Sequence, residues 1–145
     1  MTKEVITINE EENVEKCANL LLRHNFSGLP VLNSEGNLVG IVTEGDLIRR
    51  ASRIEAPPFL EVLGGVIYLG SPQKYIDEIK KAMSQRIGEL MSKKVITVSQ
   101  DESVEYAATL LVNKKIKRLP VVDAEGNLVG IISRRDVMNS IYKTE

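Results

Sequence analysis

Two four-residue stretches of this chain could do chemistry. Thr43-Glu44-Gly45-Asp46 and Ser133-Arg134-Arg135-Asp136 each set a hydroxyl three residues ahead of a carboxylate. That spacing makes a reciprocal helix N-cap, in which the hydroxyl accepts from an early backbone N–H and the acid reaches back. The same geometry suits a ligand. Unpaired N–H groups at a helix start attract phosphate, and a neighbouring carboxylate accepts hydrogen bonds from two vicinal ribose hydroxyls. A nucleotide needs both. The stretches follow Gly40-Ile41-Val42 and Gly130-Ile131-Ile132, so each lies at a strand-to-helix turn whose glycine is expected to let an anion approach.

The rest of the chain reads as the frame for these turns. Placing Met1 on Met91 aligns the halves without a gap, and roughly 22 of the first 50 positions are identical, which marks a duplication. Val5-Ile6-Thr7 with Val95-Ile96-Thr97, Leu29-Pro30 with Leu119-Pro120, and Asp46 with Asp136 fix the register. After each VIT segment, helical spacing links Val14, Cys17, Ala18, Leu21 and Asn25, or Val104, Ala107, Ala108 and Leu111. Glu11 and Glu12, or Asp101 and Glu102, open that helix with charges that suit its dipole. Two β-rich runs, Leu29–Leu32 and Leu38–Val42, then flank the turn Asn33-Ser34-Glu35-Gly36-Asn37, and Asp123-Ala124-Glu125-Gly126-Asn127 repeats it. A second helix starts near Thr43 or Ser133, with Leu47, Ile48 and Ala51, or Val137, Met138 and Ile141, on one side. Each repeat therefore reads β-α-β-β-α, in an α+β fold class. A repeat is near the size at which a lone core is marginal, so the halves need each other.

The expected organisation is a first repeat over 1–55, an ordered apolar and helical connector over 56–86, and a second repeat over 87–145. In the connector, Pro57-Pro58 stops the preceding helix and an apolar run, Phe59–Leu69, is interrupted by Gly64-Gly65. Ser71-Pro72 then starts a helix with Ile76, Ile79 and Met83 on one face. This segment either packs over the module's own core or, through Phe59, Leu60, Val62 and Leu63, helps form a subunit interface.

Composition narrows the function. With 43% apolar and 27% charged residues the chain is globular rather than disordered. Lys plus Arg number 19 against 20 Asp plus Glu, which leaves no global field for nucleic acid or an anionic bilayer. No apolar run nears the roughly 20 residues of a membrane span, and the start of the chain lacks the apolar run of a signal peptide, so a cytoplasmic location is expected. The single Cys17 reads as a small core residue, and the single His24, beside Arg23, as an exposed or capping residue near a helix end. Nothing is spaced for a metal or a nucleophile, and Asp46 and Asp136 belong to separate copies, with nothing to make them an acid–base pair. The expectation is a chain with no catalytic residues, no metal ligands and no required cofactor.

VIT, an amphipathic helix, x-x-L-P-V-V/L, E-G-N-L-V-G-I and S/T-x-x-D occur in that order twice. In this the chain resembles a tandem pair of cystathionine-β-synthase (CBS) domains, a Bateman module, over about Met1–Ala51 and Gly88–Tyr142. The resemblance implies repeats packed through their sheets about a pseudo-twofold axis, with two clefts between them for an adenosyl ligand. It also implies a homodimer and regulation of a separate effector protein.

The sites it implies are crosswise. One cleft would combine Val5, Ile6, Phe26, Ser27 and Gly28 with Ile131, Ser133, Arg134 and Asp136. The other would combine Val95, Ile96, Ile116, Lys117 and Arg118 with Ile41, Thr43 and Asp46. Apolar residues would sandwich adenine, the aspartates would hold ribose, and Thr43 or Ser133 with the basic residues would meet phosphate. The expected ligand is AMP, ADP or ATP, with S-adenosylmethionine as an alternative. A structural dimerisation module without nucleotide is the rival. Lys117 and Arg118 favour the Thr43/Asp46 cleft for a polyphosphate, Glu44 opposes it, and Lys114 and Lys115 read as solvated charge.

Overall fold

The computed structural model describes residues 3–55, 59–70 and 72–143. The first repeat runs β1 (Ile8–Asn9), α1 (Val14–His24), β2 (Gly28–Leu32), β3 (Leu38–Thr43) and α2 (Glu44–Ala51). The connecting region holds β4 (Phe59–Val62), β5 (Gly65–Tyr68), α3 (Pro72–Ser84) and α4 (Ile87–Leu90). The second repeat runs β6 (Val98–Ser99), α5 (Val104–Asn113), β7 (Arg118–Val122), β8 (Leu128–Ser133) and α6 (Arg134–Tyr142). The α+β class and the two β-α-β-β-α repeats are those expected from the sequence.

Each repeat builds a three-stranded sheet around its hairpin. The turn closes because Asn33 Oδ1 accepts from the N–H groups of Glu35 (3.0 Å) and Asn37 (2.9 Å), while Gly36 takes φ +81°. Asp123 and Gly126 do the same in the second copy. β1 runs parallel to β2 with Ile8 beside Val31, and β3 runs antiparallel with Pro30 opposite Ile41. The pairs Val98–Val121 and Pro120–Ile131 repeat this register 90 residues later. The first strand of each sheet begins after the VIT segment rather than within it. Pro30 has no N–H to offer a neighbouring chain, so the parallel ladder starts at Val31 and leaves Val5–Thr7 unpaired.

Register by register, the two cores match. Ile8, Cys17, Leu21, Leu29, Val31 and Val42 pack together in the first repeat, and Val98, Ala107, Leu111, Leu119 and Val121 in the second. Asn25 is the exception to the expected helical face: it caps α1 in a left-handed conformation at φ 53°, a role its short amide suits. The helix starts at caps rather than at the acidic pairs, since Asn13 accepts from Lys16 N–H and Ser103 from Tyr106 N–H.

The connector divides its work. α3 packs on α1 and α2 through buried Ala82 and half-buried Ile79, and Gln85 Oε1 accepts from Arg50 Nε at 2.6 Å. Ile76 and Met83 lie at the margin of that face, 43% and 36% exposed. The β4–β5 hairpin instead leaves Val62, Leu63, Val66 and Ile67 in solvent. The expectations placed on Pro57-Pro58, Ser71 and the side chains of Phe59 and Leu60 lie outside the described residues.

The segment after α3 returns to the first repeat. Ile87 is fully buried in that repeat's core, its N–H donates to the Glu12 carbonyl, and Ser92 bonds Ile41 in both directions at 3.0 and 2.8 Å. Gly40 is needed for this contact, because a Cβ there would fall 2.5 Å from Met91 Sδ and 2.8 Å from the Ser92 carbonyl. The close approach that Gly40 permits is therefore to the chain itself. It is not the approach to an anion expected from the sequence.

Candidate ligand-binding clefts

Both S/T-x-x-D turns form complete capping boxes. The Thr43 N–H donates to Asp46 Oδ2 at 2.9 Å, and Asp46 N–H donates back to Thr43 Oγ1 at 3.3 Å. Ser133 and Asp136 repeat this at 2.9 and 3.1 Å. The two carboxylates then differ. Asp46 Oδ2 also accepts from the Thr43 hydroxyl, and Oδ1 is held by Arg49 one helical turn on. At the equivalent position α6 carries Asn139, and among the described residues no side chain pairs with Asp136 Oδ1.

Two clefts lie between the repeats, and each draws residues from both copies. The larger encloses about 490 Å³. Ile96, Ile116, Lys117 and Arg118 of the second repeat face Ile41 and Thr43 of the first there, in the crosswise combination expected. Ser27 and Gly28, assigned to the other cleft, line this one too. Val95 and Asp46 do not line it, Asp46 being turned into its cap and toward Arg49. Lys94 and Lys115 add two cations that sequence reasoning missed, so four basic residues meet one carboxylate, Glu44. Lys115 follows the Lys114 cap of α5 in a left-handed conformation at φ 55° and lines the cleft wall.

The smaller cleft encloses about 160 Å³. It joins Val5, Ile6, Phe26 and Gly28 to Ile131, Ser133 and Asp136, again crosswise, with Glu4 and Arg118 added. Arg134 lies outside it. Its Nε donates to the Ile116 carbonyl at 3.0 Å, folding the guanidinium onto its own repeat. Gly28, Leu29, Pro30, Arg118 and Ile131 line both clefts and form the wall between them. The Arg118 guanidinium lies 4.6 Å from the centre of the Phe26 ring, which stacks with His24 at 5.3 Å. The unpaired Val5 and Ile6 are available as cleft wall because Pro30 denied them a place in the sheet.

Among the described residues no group of three His, Cys, Asp or Glu side chains is placed to hold a metal ion. Cys17 lies on the buried face of α1, where burial, aided by the negative Asp46, pushes its thiol up to about 11. A thiol so protonated is a core group, not a nucleophile.

The CBS domain family model matches residues 1–53 and 87–143, and the chain belongs to that family. It is 32% identical over 146 residues to the uncharacterized protein MJ1426 of Methanocaldococcus jannaschii, covering 96% of this chain and 87% of that one. Its fold is similar to that of CBSX2 solved in complex with AMP, with a TM-score of 0.72 and 28% identity, covering 97% of this chain and 90% of the other. The CBS domain pair of protein MJ0100, solved with 5′-methylthioadenosine and S-adenosyl-L-methionine, gives a TM-score of 0.70 at 25% identity, with 97% and 90% covered. CBS pairs similar to this chain thus bind adenosine-containing ligands.

Proposed function

We propose that this chain is a non-catalytic regulatory module that binds adenine nucleotides in the clefts between its repeats and signals to a separate effector protein. The observation that carries the reading is the larger cleft. It has a volume within the range of small-molecule sites. Isoleucines 41, 96, 116 and 131 offer a flat base apolar contact, and Lys94, Lys115, Lys117 and Arg118 suit phosphate. The AMP complex of CBSX2 supports the ligand class. In this reading Asp136 accepts from ribose hydroxyls, Thr43 and Ser133 meet phosphate, and ligand bridging the repeats biases their relative orientation by its differential affinity.

Two further proposals attach to it. The module acts as a cytoplasmic homodimer, and the solvent-facing Val62, Leu63, Val66 and Ile67 of the connector favour self-association. Sedimentation that gives a monomer at all accessible concentrations would overturn the dimer.

Calorimetry and thermal unfolding with AMP, ADP, ATP and S-adenosylmethionine test the ligand reading. Saturation at a hundred times Kd adds about 2.7 kcal/mol to stability and raises the melting temperature. The rival, a structural module without nucleotide, draws support from capping boxes that already satisfy both aspartate motifs. It is the reading left if none of the four ligands produces heat or a shift.

A further inference from the structure

Arg118 belongs to both clefts at once. Its guanidinium rests on the Phe26 ring, a wall of the smaller cleft, while the same residue lines the larger one beside Lys94, Lys115 and Lys117. In the larger cleft four like charges share one concave surface, and among the described residues the Phe26 π face in the smaller cleft is the one partner of the Arg118 guanidinium. A ligand with two or more phosphates is a stronger partner. Charge-assisted, bidentate hydrogen bonds to phosphate exceed a part-exposed cation–π contact, and a planar guanidinium suits both uses.

The consequence falls on the smaller cleft. At about 160 Å³ it lies below the roughly 300 Å³ at which small-molecule pockets begin, and the guanidinium occupies the aromatic face that a base would stack on. Drawing Arg118 off Phe26 exposes that face and frees the space beside it.

We propose that Arg118 couples the two clefts: a polyphosphate in the larger one withdraws the guanidinium from Phe26 and so opens the smaller one to an adenosine moiety. The coupling is positive and reciprocal, so a ligand seated on Phe26 also pushes Arg118 toward the polyphosphate. It rests on the reading that these clefts bind ligands. It adds a sign and a residue that carries it. One cation–π contact sets the scale, about a 3- to 10-fold change in affinity.

Inorganic pyrophosphate is the probe for the larger cleft, since it has no base to place elsewhere, and adenosine is the probe for the smaller. In the native chain, saturating pyrophosphate should tighten adenosine binding about 3- to 10-fold by calorimetry. In Arg118→Ala, adenosine should bind at the tightened level without pyrophosphate and ignore its addition. The chain has two phenylalanines and no tryptophan, so either the Phe26 ring resonances of the native protein or the emission of Phe26→Trp reports the withdrawal directly. Pyrophosphate that binds but leaves Phe26 unmoved, leaves adenosine affinity unchanged or weakens it overturns the coupling while the ligand reading stands. The same enhancement in Arg118→Ala also overturns it. No heat from pyrophosphate, adenosine or any nucleotide overturns both.

Discussion

Replacing Asp46 and Asp136 by alanine, one at a time, separates the two uses of the S/T-x-x-D motif. Each change removes the carboxylate half of a capping box and leaves the hydroxyl half, at about 0.5–2 kcal/mol of stability in either repeat. Asp46→Ala also loses the pair with Arg49. The Arg49 side chain is 68% exposed, and such pairs contribute about 0–1 kcal/mol. In urea unfolding the two variants should therefore lie within roughly 1 kcal/mol of each other.

Binding should divide them. A hydrogen bond to a charged acceptor contributes about 1.5–3 kcal/mol net. Asp136 Oδ1 is open to a ribose hydroxyl, so Asp136→Ala should weaken adenosine about 10- to 150-fold by calorimetry. Asp46 does not line the larger cleft and both of its oxygens are already engaged, by the Thr43 cap and by Arg49, so Asp46→Ala should cost less than about 3-fold. The variant also frees Arg49, whose Nη1 lies 3.2 Å from where a Gly45 Cβ would project, and Gly45 lines the larger cleft. Pyrophosphate affinity in Asp46→Ala should hold or rise. An adenosine loss in Asp46→Ala as large as that in Asp136→Ala would refute the claim that Arg49 holds Asp46 away from ligand.

Three other expectations follow from the packing. Because folding raises the Cys17 thiol from 9.0 to about 11, the folded state keeps a proton that the unfolded state releases between those values. Stability should thus fall by about 2–3 kcal/mol more from pH 9 to 11 in the native chain than in Cys17→Ala, as urea unfolding at each pH will measure, and parallel curves would contradict it. Ile87→Ala empties a fully buried site in the first repeat and should cost about 2–5 kcal/mol in the same assay, whereas a loss under 1 kcal/mol would mean that α4 is not part of that core. Lys115→Gly relieves a left-handed residue at φ 55° and should stabilise the chain by up to about 1 kcal/mol while weakening pyrophosphate binding in calorimetry. If binding is unchanged, Lys115 does not meet the anion.

The duplication made most of the fold legible, because a gap-free register carries each core residue onto its partner: Ile8 onto Val98, Cys17 onto Ala107, Leu21 onto Leu111. It could not show where Ile87–Leu90 would go, since docking into the other repeat is a tertiary choice. The crosswise sites were legible only through the family resemblance. The capture of Asp46 was readable from spacing alone, as Arg49 follows it by three residues on a helix and Asn139 replaces it in the second copy. Lys115 was not. It lines the cleft from a left-handed backbone, which glycine or asparagine signals in sequence and lysine does not.

Between the copies Arg134-Arg135 stand in place of Glu44-Gly45 and Lys117-Arg118 in place of Ser27-Gly28, and the geometry gives these two exchanges different weight. Arg134 bonds the carbonyl of Ile116 in its own repeat and adds no charge to the smaller cleft. The exchange that does change a cleft is the one at the β7 entry, where Lys117 and Arg118 stand in place of Ser27 and Gly28 and join Lys94 and Lys115. One copy thus supplies the cations of the larger cleft, while the smaller keeps an open carboxylate at Asp136 and borrows its single cation, Arg118, from the shared wall. Two halves built on one register arrive at a cationic cleft and one in which two carboxylates, Glu4 and Asp136, face a single cation, and that cation, Arg118, is the residue that joins them.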